Sequence, residues 1–69
     1  MSKIYALDEA INRIFDDRDY YLSLNEIDRA KMRVYKQRFL SKALSLDGKI
    51  SLVKKYGAEV TVDIRVKFK

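Results

Sequence analysis

Six Lys or Arg residues fall between Arg29 and Lys42, in the run RAKMRVYKQRFLSK, and no acidic residue interrupts them. The chemistry this run offers is phosphate neutralisation, in which each cation meeting a nucleic-acid backbone releases a counterion and makes affinity fall with salt. On duplex DNA, Arg29 or Arg33 has the fork that reads guanine, and Gln37 the amide that reads adenine. Lys31, Lys36, Arg38 and Lys42 complete the candidate contacts in the run. Lys54 and Lys55, further along, suit the backbone and would position the domain without specifying sequence.

The competing reading is that these charges merely solubilise a helix whose apolar residues do the packing. Against it stands the charge asymmetry. Met1 to Asp28 carries three positive and seven negative residues, a balance of −4, whereas Arg29 to Lys69 carries twelve positive and three negative, +9, giving the net +5 of the chain. Segregated charge of this kind marks a binding face. The acidic half could also neutralise the basic one, within a chain or between chains.

Other chemistry is thinner. Asp16, Asp17 and Asp19 could hold Mg²⁺ for nuclease work, but nothing at ligand spacing accompanies them, and the expectation is a solvated helix end and turn. Tyr20 and Tyr21 could stack on bases, although at least one is expected to pack between helices. The chain has no cysteine and no histidine, which excludes disulfides, thiolate or imidazole metal sites and histidine acid–base catalysis. No catalytic residue, cofactor or metal is expected, and the chain is not read as an enzyme. A ribonuclease working through Arg, Lys and Tyr ranks last.

With 69 residues, the chain is expected to form one small domain, which buries only about 60% of the surface exposed by its unfolded form. It lacks the roughly 18 apolar residues of a membrane span and the pattern of a signal peptide, so the expectation is a soluble cytoplasmic protein with no membrane partner.

The elements follow from periodicity. Leu7, Ala10, Ile11, Ile14 and Phe15 keep helical spacing behind Asp8 and Glu9, predicting a helix over about 7–17. Ser23 with Glu26 forms a capping box and Leu22 with Ile27 a hydrophobic staple; Asn25 with Asp28 is an overlapping candidate cap. From there a helix is predicted over about 24–43. On its wheel, Met32, Tyr35, Phe39 and Ala43 make one apolar stripe and Ile27, Ala30 and Val34 another, nearly opposite. Arg29, Arg33 and Lys36 run between them on one side, and Lys31, Arg38 and Lys42 on the other. Two stripes imply neighbours on both sides or a second molecule.

Asp47-Gly48 is a hairpin signal. The Ser45 cap, the spacing of Leu46, Ile50 and Val53, and Gly57 as terminator instead favour a helix over about 46–56. Val60, Val62, Ile64, Val66 and Phe68 then alternate with polar residues, predicting one strand over 59–68. Such a strand must pair with the N-terminal residues, a second copy, or both. A two-fold pairing through Val60, Val62, Ile64 and Val66 would give a homodimer presenting two basic helices.

RVYKQRF at 33–39, LSLDGKISLVKKYGAEV at 44–60 and the strand after them resemble the small helix-turn-helix regulators of the phage repressor and Cro type. The resemblance covers at most the last 40 or so residues. The segment before the basic helix departs from that pattern, with no glycine at the usual tight turn and no alanine-rich first helix. What the resemblance implies is an architecture, a C-terminal strand pairing between subunits, and DNA contact by Arg29, Lys31, Arg33, Lys36 and Gln37. The fold class expected is α+β, mainly α, with three or four helices followed by a C-terminal strand, helix-turn-helix-like. The expected function is a small dimeric transcriptional regulator binding DNA, with RNA as a possible ligand. The alternative is a protein-interaction module or small inhibitor that associates through its exposed strand.

Overall fold

The computed structural model describes residues 3–68. It is α+β and mainly helical: β1 (Ile4–Ala6), α1 (Leu7–Asp16), α2 (Arg18–Ser23), α3 (Glu26–Leu40), α4 (Leu46–Tyr56), β2 (Glu59–Val60) and β3 (Arg65–Lys67). Among the described residues, no helix is long and apolar enough to cross a membrane.

The core lies between α1, α4 and the sheet. Ala10, Ile11 and Ile14 of α1, Leu52 and Val53 of α4, Ala58 and Val66 are buried, and α3 adds only Met32. Asp8 of α1 meets Lys49 of α4 at 2.8 Å, and at the far ends of the same helices Tyr56 donates to Asp17. The two helices therefore run side by side in the same sense.

There are four helices, within the expected three or four; the one that periodicity does not place, α2, runs over Arg18–Ser23, directly after the Asp16–Asp17 pair. The Asp17 side chain accepts from the Tyr20 N–H at 3.0 Å and caps α2, so a carboxylate read as part of a solvated turn starts a helix. The next cap also differs from the box predicted at Ser23. Ser23 closes α2, with its hydroxyl donating to the Tyr20 carbonyl, and Asn25 caps α3 by accepting from the Asp28 N–H at 2.8 Å. The overlapping candidate is the one used, because six residues from Arg18 onward are already helical and Ser23 is their last. The Leu22–Ile27 staple goes with the Ser23 box: once Asn25 is the cap, Leu22 and Ile27 no longer occupy the N′ and N4 positions, and both are half or more exposed.

α3 also stops earlier than the predicted 43. Lys42 takes a left-handed backbone (φ 61°), its N–H donates to the Phe39 carbonyl and the Ala43 N–H to that of Arg38. These two bonds make a Schellman ending. α4 ends in the same way around Gly57 (φ 106°), with the Gly57 N–H on Lys54 and the Ala58 N–H on Val53. Ser45 caps α4 through the Gly48 N–H. Gly48 belongs to this first turn, where a Cβ would come within 2.9 Å of Leu44 Cδ1; Asp47-Gly48 is not a hairpin turn.

The predicted strand 59–68 is two strands and a turn. The Ile64 N–H donates to the Thr61 carbonyl, and the Thr61 N–H to that of Arg65. Ile64 itself is left-handed, with φ 58°. This is a type I turn with a bulge residue, a site that usually holds glycine. Thr61 compensates locally: its hydroxyl donates to Asp63 and accepts from the Arg65 N–H. The strand order is β1-β3-β2, both pairs antiparallel, with Tyr5 opposite Val66 on one side and Val60 opposite Val66 on the other.

β3 is therefore central, paired on one edge by the N-terminal residues and on the other by its own hairpin. Pairing with the N-terminal residues is one of the expected outcomes; β1 and β2 form the outer edges of the sheet, so pairing with a second copy or with another protein would have to use one of those edges and not β3. Of the four residues assigned to that interface, Val66 is fully buried in the chain's own core and Val60 packs against it. Val62, fully exposed, and Ile64 sit at the hairpin turn.

Candidate nucleic-acid interface

α3 contains 15 residues, about 22 Å at 1.5 Å per residue, and is held on one side only. Met32 is buried; Tyr35 and Phe39 are partly buried against the core, Phe39 meeting Phe15 of α1 with ring centroids 5.8 Å apart. The second stripe is not buried: Ile27 is 70% exposed, Val34 44%, and Ala30 is exposed as well. Of the two expected arrangements, neighbours on both sides or contact with a second molecule, the chain does not supply the first, because the sheet and α4 pack against α1 and leave this face of α3 outward.

The two basic rows are placed differently. Arg29 donates through Nη2 to the Leu22 carbonyl at 2.6 Å and through Nε to that of Tyr21 at 3.3 Å, clamping the end of α2. Arg33 donates to the Tyr21 hydroxyl at 2.8 Å. Lys36, third in that row, lines the groove between α3 and α2. Lys31 and Arg38 lie on the outer side, and Lys42 at the turn after α3; all three are exposed, as is Gln37.

The ion pairs among the described residues are Lys49–Asp8, Lys55–Asp28 and Arg65–Asp63. None uses a cation between Arg29 and Lys42. Three carboxylates of the acidic first half are engaged elsewhere: Asp8 and Asp28 pair with lysines of α4, and Asp17 caps α2 and accepts from the Tyr56 hydroxyl. That contact holds the Asp17 carboxyl below its ordinary value and, together with burial, pushes the Tyr56 phenol up to about 12. Lys55 is different from the other candidates. Asp28 accepts from it at 3.1 Å and raises its pKa, so Lys55 ties α4 to α3. Lys54 is exposed.

Of the paired tyrosines, Tyr20 packs edge-on against Tyr56 at 4.6 Å, as expected of at least one. Tyr21 lines the groove beside α3. The floor of that groove, about 570 Å³, is Ile14, Phe15 and Met32, and Arg18 joins Arg33 and Lys36 on its walls. Sequence reasoning does not single out Arg18, which stands within DDRD and reads as a solvated charge. Only the formation of α2 carries it to the basic side. No family model, curated protein or solved structure matches the chain.

Proposed function

We propose that this chain is a nucleic-acid-binding protein, and that duplex DNA is its ligand. The observation that carries the reading is the absence of any intramolecular ion pair along Arg29–Lys42 among the described residues, despite seven acidic residues in the preceding 28. Lys31, Lys36, Arg38 and Lys42 are exposed cations that phosphates would neutralise. The exposed Ile27, Ala30 and Val34 between them are supporting features, since apolar side chains on a helix contact thymine methyl groups in a major groove. Gln37 has the amide for adenine, and Arg33 is aimed by Tyr21 rather than free to swing. A dimer is not required by this reading; one α3 presents both rows.

The test is fluorescence anisotropy with random-sequence duplex across a salt series. Binding should be measurable at about 50 mM salt and weaken steeply towards 200 mM. Lys31→Ala and Arg38→Ala should each reduce the salt slope by about 1. No binding to duplex at the low-salt end would overturn the proposal.

A further inference from the structure

The groove between α1, α2 and α3 has a construction that backbone phosphates alone do not account for. Its volume of about 570 Å³ falls in the range of small-ligand sites, roughly 300–1,000 Å³. Its floor is apolar, through Ile14, Phe15 and Met32, and Leu22 extends that surface to the rim. Three cations, Arg18, Arg33 and Lys36, stand against one carboxylate, Asp16, in the lining. The walls are fixed before any ligand arrives, because Arg29 fastens the end of α2 to α3 with two hydrogen bonds.

Tyr21 adds a directional group. Its hydroxyl accepts from Arg33 and keeps its own proton, which it can donate to an anion. An apolar floor beneath a cationic wall suits a ligand with one anionic end and an apolar body. A bare inorganic anion would leave the floor unused.

We propose that this groove is a binding site for a small organic anion of the medium-chain carboxylate class. The carboxylate sits among Arg33, Lys36, Arg18 and the Tyr21 hydroxyl, and the chain lies on Phe15, Met32 and Leu22. The site is separate from the outer row of α3, and its occupancy is measured without nucleic acid.

The experiment is isothermal titration of the full chain with decanoate, with decyltrimethylammonium and inorganic phosphate as comparison probes. Saturable decanoate binding is expected, with no saturable binding of the cationic amphiphile and much weaker binding of phosphate. Arg33→Gln should weaken decanoate roughly tenfold, the size of one lost charge-assisted hydrogen bond. Leu22→Asp, at a half-exposed position that does not threaten the core, should weaken it at least as much. Lys67→Gln, on β3, should leave it unchanged. Equal binding of the two amphiphiles, equal binding of phosphate, or indifference to both groove variants would overturn the proposal. So would tighter binding of an acidic peptide than of decanoate at the same groove.

Discussion

α3 and α4 are adjacent helices built to one plan at their ends and to opposite plans along their lengths. Each begins with a side-chain cap, Asn25 or Ser45, and each finishes in a Schellman turn. α4 buries Leu52 and Val53 completely within 11 residues, whereas α3 buries only Met32 within 15. At the left-handed position α4 has Gly57 and α3 has Lys42. α4 is a helix whose sequence agrees with its structure at each of these points. α3 departs from that agreement with cations, exposed aliphatics and a lysine where glycine is favoured. Local departures of this kind concentrate where a surface does something other than stabilise the fold.

The contrast breaks first if core truncations fail to separate the two helices. Leu52→Ala should cost about 3 kcal/mol, because it leaves a cavity in the core. Val34→Ala on the outer face of α3 should stay within about 0.5 kcal/mol. Urea unfolding of both variants measures this, and similar losses would mean that α3 is held as firmly as α4. Next come the caps. Asn25→Ala and Ser45→Ala should each cost about 1 kcal/mol, and Ser23→Ala clearly less, since its hydroxyl caps no helix N-terminus. If Ser23→Ala costs as much as Asn25→Ala, the boundary between α2 and α3 is misplaced.

The helix endings sharpen the comparison further. Lys42→Gly should raise stability by about 0.5–1 kcal/mol by relieving a left-handed side-chain residue, and Gly57→Ala should lower it by about 1 kcal/mol. Ile64→Gly in the hairpin should stabilise for the same reason as Lys42→Gly. Thermal melts distinguish these signs. Lys42→Gly is also expected to weaken duplex binding while it stabilises the fold, a separation of the two properties at one residue.

The smallest effects are pH-dependent and belong to the α1–α4 side. Asp17 is held below its ordinary 3.8, first by the Tyr56 hydroxyl and then by the Tyr20 N–H. A depressed carboxyl contributes stability above its unfolded value and loses it as pH falls through the lower folded one. Tyr56, raised from 10.0 to about 12, contributes fully below its unfolded value and loses that contribution as pH rises through about 12. Tyr56→Phe should therefore flatten part of the loss of stability below pH about 4 and reduce the alkaline limb, to which Tyr20 and Lys55, both also raised, still contribute. Unchanged limbs in urea titrations of this variant would show that the pair does not govern them.

Periodicity and capping chemistry were enough to place α1, α4 and most of α3. Leu7 to Phe15 and Leu46 to Gly57 carry their apolar spacing and their terminators in local residue types. What they could not reveal was the two reversals at Lys42 and Ile64. Both put a side-chain-bearing residue in the left-handed region, and nothing in composition marks such a site when the usual glycine is missing. Strict alternation from Val60 to Phe68 even imitated one strand, because Val62 and Ile64 continue the pattern while sitting on a turn. α2 was hidden for a related reason: its cap, Asp17, stands in a cluster that reads as solvated charge.

The candidate site divides along the same line. The sequence by itself determined that a basic, acid-free helix exists and which side chains it carries, since charge and helical spacing are local properties. Only the tertiary structure decided which cations face outward, which clamp α2, and that Arg18 and Tyr21 join Arg33 and Lys36 around a groove. It also decided that the C-terminal strand is central rather than exposed, by pairing it on both edges. Those outcomes depend on which elements pack together. Packing is settled by the burial of Ile11, Ile14, Leu52, Val53 and Val66 as one core, a property of the whole chain that no single stretch of it contains.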